Sequence, residues 1–117
     1  MSDITVKALY TSVVEDEGQL FIGFVEGEDE DEPYVMFRRD AGGGPVWFEV
    51  SDETLGADDA VESVTRTERG LSILIDPLKA SRFGMAREIV VKITGATENG
   101  EEAVEALRDL MGERFRG

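Results

Sequence analysis

Carboxylates are the side chains this sequence holds in numbers, and two groupings of them raise the question of chemistry. Glu28, Asp29, Glu30, Asp31 and Glu32 stand consecutively before Pro33, and Glu49, Asp52, Asp58 and Asp59 lie further along. The consecutive run suggests calcium, a hard cation that takes about six to eight oxygen ligands. A calcium loop, however, spaces its ligands around a turn glycine and closes on a distal glutamate, and an unbroken run ending in proline lacks that spacing. Glu49 and Asp52 offer the acid and base of glycoside hydrolysis, a reaction that depends on a carboxyl separation the sequence does not set. Gly42-Gly43-Gly44 has the composition of a phosphate cradle. The residues after it have the pattern of a strand rather than of a helix N-terminus, so the glycines make a turn.

The 117 residues include no histidine and no cysteine. Most acid/base, thiol and transition-metal chemistry loses its usual carriers, and a non-enzymatic protein without a cofactor or metal is expected. Twenty-six acids against twelve bases give a net charge of -14, the reverse of what nucleic-acid backbone binding requires. Such a charge steers encounter with a basic partner. Apolar residues make up 41% of the chain, too many for a disordered acidic tail, and the length suits a single domain over 1-117 with one core. Met1-Ser2-Asp3-Ile4 has no basic start leading into an apolar stretch, and no run approaches a membrane span. A cytoplasmic protein is the reading.

The acids are unevenly placed. Nine of them and no base lie between Glu15 and Glu32, and a second acidic stretch runs from Glu49 to Glu62. A solvated surface, or adaptation to salt, explains such an excess without any partner; a site for a basic partner explains its patchiness.

Most of the chain alternates with the two-residue period of strands. Leu20, Ile22 and Phe24 share one face and Phe21 and Val25 the other; Tyr34 to Arg39 repeats the pattern, and the acidic link between the two makes a hairpin. After Gly42-Gly43-Gly44-Pro45 comes the strand Val46 to Val50. Ser51 to Asp59 reads as a loop long enough to be mobile, Ala60 to Thr67 as a weak strand, and Leu71 to Ile75 and Glu88 to Ile93 as firm ones. Thr5 to Val14 adds another. Asp76-Pro77 signals a short helical turn, capped by the aspartate. From Asn99 the spacing becomes helical, with Ala103, Val104, Leu107, Leu110 and Met111 as one stripe, Asn99 and Glu102 as a capping box and Gly112 as the stop. The expected fold is α+β: an antiparallel β-meander sheet of about six or seven strands with one C-terminal amphipathic helix packed on one face.

Tyr34 and Trp47 fall on neighbouring strands. They either fill the core beneath the helix or form an aromatic anchor on the open face, with Glu49, Asp52, Asp58 and Asp59 as a charged surround and Glu28 to Asp31 as a steering loop. A small-molecule site between helix and sheet, or a homodimer burying the second apolar sheet face, are the competing readings.

The order of the pieces is itself suggestive. Phe21-Ile22-Gly23-Phe24, Tyr34-Val35-Met36-Phe37-Arg38-Arg39-Asp40, Trp47-Phe48-Glu49-Val50-Ser51-Asp52, Val61-Glu62-Ser63-Val64, Leu71-Ser72-Ile73, Glu88-Ile89-Val90-Val91 and a closing amphipathic helix together resemble the immunity protein 10 family. Its members are found beside polymorphic toxins in bacteria. The resemblance implies a small cytoplasmic protein that binds and neutralises a cognate toxin, and it carries over no catalytic residue. Where family members often have Gly-Gly-Ile, this sequence has Asp59-Ala60-Val61.

Overall fold

Strand alternation carries through most of the chain in the computed structural model, which describes residues 3–29 and 31–117. The strands are β1 Ile4–Lys7, β2 Tyr10–Asp16, β3 Gln19–Val25, β4 Tyr34–Asp40, β5 Trp47–Val50, β6 Asp52–Asp58, β7 Val61–Thr67, β8 Gly70–Ile75, β9 Glu88–Lys92 and β10 Phe115–Arg116. Helix α1 runs Gly100–Met111, and a 3₁₀ helix spans Pro77–Phe83.

These strands form two sheets of five, which corrects the expectation of one meander of about six or seven strands while keeping the α+β class. Strands β2 to β6 make an antiparallel meander in chain order. The other sheet has the order β1-β9-β8-β7-β10, with β1 parallel to β9 and β10 parallel to β7. The reason lies at two crossing points. Ala8 N donates to Lys92 O in one sheet and Leu9 N donates to Val25 O in the other, so the Thr5 to Val14 run is two strands rather than one. Asp59 N donates to Val46 O, and Ala60 O accepts from Asp76 N, which moves the chain back. The alternation breaks by a single residue at each crossing: Leu9 and Tyr10 are both exposed, and Ala60 and Val61 are both buried after Asp59, which has φ 53. The segment read as a mobile loop, Ser51 to Asp59, contains β6; its polar first half is exposed and only Gly56 and Ala57 are buried, so the sequence pattern there is weak.

The inward faces meet in one core. Ile22, Phe24, Val35, Phe37, Phe48 and Val50 come from the meander and Val6, Val64, Leu71, Ile73, Ile75, Ile89 and Val91 from the other sheet. Each such side chain contributes about 1.5–3 kcal/mol by leaving water. The rings of Phe37 and Phe48 lie 4.8 Å apart, and Phe83 of the 3₁₀ helix stands 5.7 Å from Phe48.

The stripe of α1 is buried as its spacing predicts. The helix touches β2 and β3 of the meander and β10 of the other sheet, so it bridges the two sheets instead of covering one. Asp76 caps the 3₁₀ helix by accepting from Leu78 N at 2.9 Å, with Pro77 first in the turn. The capping box at Asn99 is not formed: that residue has φ 55 and its side chain makes no capping bond. Gly112 ends the helix, its N–H returning to Arg108 O. No helix among the described residues is long and apolar enough to cross a membrane.

Candidate functional site

With one face of the meander in the core, register decides what its other face presents. Paired residues share a face, so Ser12, Gly23, Met36, Glu49 and Gly56 form one outward row across five strands, and Val14, Phe21, Arg38, Trp47 and Asp58 form the next. Tyr10, Val25 and Tyr34 lie in the row beside them. The outward face therefore holds an apolar and aromatic patch of Tyr10, Val14, Phe21, Val25, Tyr34, Met36 and Trp47, bordered by a polar row of Asp16, Gln19 and Asp40. The corresponding row of the other sheet reads Thr5, Val90, Ser72, Thr65 and Arg116, mostly polar. Trp47 and Tyr34 both stand on the open face and are half-buried, which decides between the two readings of their position.

At the centre of this face is a buried carboxylate. Glu49 is only 7% exposed. Trp47 Nε1 donates to its Oε1 at 2.9 Å and the Tyr34 hydroxyl donates to its Oε2. Among the described residues no base pairs with it. A buried charge held only by neutral donors costs stability that an apolar residue would not. What this one provides is geometry, because one carboxylate fixes the orientation of two aromatic rings. Burial, and then the bond to Glu49, push the Tyr34 hydroxyl well above its ordinary value of 10.0, so it remains a donor. Gly56 completes the seat for the indole: a Cβ there would stand 2.4 Å from Trp47 Cζ2, so only glycine admits the ring. On the same face the Arg38 guanidinium lies over the indole, 5.3 Å from its centroid, an attraction of about 0.5–1 kcal/mol at an exposed site.

The other sequence candidates divide. Asp58 pairs with Trp47 across β5 and β6 and lines a cleft of about 190 Å³ with Gln19, Asp40 and Pro45. Asp52 is exposed and tied to Thr54, accepting from its N and its hydroxyl at 2.8 Å each, bonds that hold its carboxyl below the ordinary 3.8. Asp59 leaves the group; it faces a separate cavity of about 200 Å³ shared with Arg39, Met111 and Arg114. Glu28, Asp29 and Asp31 are exposed in the β3–β4 loop, with no side-chain bond to any described residue. Glu30 lies outside the described residues. Glu49 and Asp52 do not make an acid/base pair, one being buried between two donors and the other bound to its own turn. No three carboxylates converge as a metal site among the described residues.

Arg38 and Gly56 are the members of the site that residue type alone did not suggest. Parity was the available signal for Arg38, since it lies two and four residues from Met36 and Tyr34 on one strand. Gly56 carried no such signal, because its role appears only once β6 is paired with β5.

Charge is segregated between the sheets. The segment Tyr10–Asp58, which makes the whole meander, carries fourteen acids and two bases; the rest of the chain carries twelve acids and ten bases. Nearly all of the net charge belongs to the sheet with the aromatic face. In comparisons with known proteins, the chain matches no family model, no curated protein and no solved structure.

Proposed function

We propose that this protein is a non-enzymatic binding protein that engages a basic protein partner through the outward face of its acidic sheet. The observation that carries the reading is the Tyr34–Glu49–Trp47 cluster: two aromatic rings, oriented by one buried carboxylate, on an open apolar face within the acidic sheet. Interfaces concentrate their energy in such desolvated aromatic anchors with a polar rim, and fixing the rings beforehand removes part of the ordering cost of binding. The segregated charge supplies steering. A homodimer through this face would set two acidic sheets against each other, which like-charge repulsion opposes. The cavity between helix and sheet holds about 200 Å³, short of the roughly 300–1,000 Å³ of small-molecule sites; clefts of about 320 and 460 Å³ lie away from the helix, at the Ala8-Leu9 crossing and beside Glu68 and Arg69.

The resemblance to the immunity protein 10 family supports a more specific role: stoichiometric neutralisation, in the cytoplasm, of a toxin encoded nearby. Inhibition of that toxin by the purified protein then saturates at one molecule per toxin with no substrate consumed. Trp47→Ala weakens it by about tenfold or more, equivalent to ~1.4 kcal/mol, without unfolding the protein. Protection at ratios far below one, or undiminished inhibition by the variant, would refute the role and the surface respectively.

A further inference from the structure

The edges of a sheet are templates for another strand unless they are covered or blunted. The edges of the acidic sheet are β2 and β6, and β6 packs beside the 3₁₀ helix. Helix α1 packs against β2, but among the described residues the free edge of the strand is hydrogen-bonded only at its start. There Glu98 N donates to Leu9 O at 2.8 Å, and the Thr11 hydroxyl donates to the carbonyls of Glu98 and Asn99. From Ser12 to Asp16 every residue is exposed, and the pairing with β3 has no bulge. The strand contains no proline and no lysine. Val13 and Val14 are 46% and 49% exposed; with Leu9 and Tyr10 they account for four of the six exposed large apolar side chains among the described residues.

The ladder fixes where the free backbone groups point. Glu26 N donates to Pro33 O and Ala41 N to Gly18 O, so even-numbered residues of β3 turn their amides to β4 and odd-numbered ones turn to β2. The register Ser12 with Gly23 and Val14 with Phe21 then directs Ser12 and Val14 toward β3. Val13 and Glu15 are left with their N–H and C=O groups facing outward.

We propose that β2 receives an added strand: an extended basic segment of the protein partner pairs antiparallel with Ser12–Asp16. Two basic residues lie against Asp16 and Glu15, and two apolar β-branched residues come next, against Val14 and Val13. This rests on the binding role above for the partner's positive charge. Glu15, Asp16 and Glu17 favour that charge at one end of the strand, whereas a second copy of this chain would bring a second acidic sheet alongside. Val14 belongs to the same outward row as Trp47, three strand spacings or about 14 Å away. A strand seated on β2 therefore extends the aromatic face and carries the body of the partner over it.

The test uses the full chain, labelled with ¹⁵N, and a short blocked peptide in which two lysines precede two valines, with the reversed order as a control of equal charge. The expected result is that the Val13 and Glu15 amides shift and become slow to exchange. The first peptide binds about fivefold or more better than its reverse, a difference of ~1 kcal/mol. Val13→Pro removes an outward donor and no β2–β3 bond, a change edge strands tolerate, and it lowers peptide binding by about tenfold, ~1.4 kcal/mol. Val13→Lys, which leaves the backbone intact, must weaken it too if the proline variant does not fold. Equal binding of the two peptides, shifts confined to other strands, or a dimer that Val13→Lys dissociates would each overturn the proposal. The short peptide spans β2 alone, about 14 Å from Trp47, so its failure to bind is separable from failure of the aromatic face, which Trp47→Ala tests against the whole partner.

Discussion

The indole N–H of Trp47 and the carboxylate of Glu49 meet at 2.9 Å, two residues apart on one strand. Side chains at that spacing point the same way, so the acid is placed to hold the ring against the sheet while it also receives the Tyr34 hydroxyl from the neighbouring strand.

Glu49→Ala leaves both donors without their partner. Each half-buried polar group so orphaned costs about 1–3 kcal/mol, and the variant is expected to lose about 2–6 kcal/mol in a urea titration. Glu49→Gln keeps an acceptor for the indole, and its amide can donate to the tyrosine oxygen. Its loss should be nearer ~1 kcal/mol. Equal losses for the two substitutions would show that the carboxylate's bonds are not what holds the cluster.

Gly56→Ala tests the seat of the ring. The added methyl would lie 2.4 Å from Trp47 Cζ2 and 3.1 Å from Phe48 O, so the indole must swing away from Glu49. Such overpacking should cost about 1–3 kcal/mol. Trp47 is the only tryptophan, and its emission reports the movement directly. An unchanged spectrum would mean that the sheet, not the ring, gives way.

Tyr34 should ionise above 10.0, since burial first and the bond to Glu49 second favour its neutral form. The folded state then binds this proton more tightly than the unfolded chain. Its contribution to stability is complete below pH 10.0 and is lost as pH rises through the folded value. Subtracting the tyrosinate absorbance of Tyr34→Phe from that of the parent isolates the group. A component titrating at or below 10.0 would contradict the buried hydrogen bond, and the parent's stability should fall toward that of the variant as the solution becomes more alkaline.

How much of this is legible in the sequence depends on the range of the interaction. The faces of β3 and β4, the stripe of α1 and the Asp76-Pro77 cap come from local spacing, and all stand as the sequence indicates. The division into two sheets does not, because the crossings at Ala8-Leu9 and Asp59-Ala60 take only two residues each and are set by hydrogen-bond partners that lie in different sheets. Strand β6 is hidden by its polar first half, and β10 by having only two residues. For the site, Tyr34, Trp47, Glu49 and Asp58 can be nominated by type. Their assembly cannot be, since it depends on a register that pairs Arg38 with Trp47 and Glu49 with Gly56.

Placement of charge, rather than its total, gives the last prediction. Glu28, Asp29 and Asp31 are exposed at one end of the acidic sheet, while Glu102, Glu105 and Asp109 are exposed on the helix. Replacing either trio with the corresponding amides changes the net charge equally and disturbs no buried group. If the partner approaches the meander, only the loop variant should slow association, by about threefold or more at low salt, with the difference fading as salt screens the field. Dissociation should change little for either, because exposed rim charges act mainly on encounter. Stopped-flow measurement with the basic partner decides the matter: equal slowing by both trios would make the acid excess a property of the whole surface, and slowing by the helix trio alone would put the binding face on the other side of the molecule.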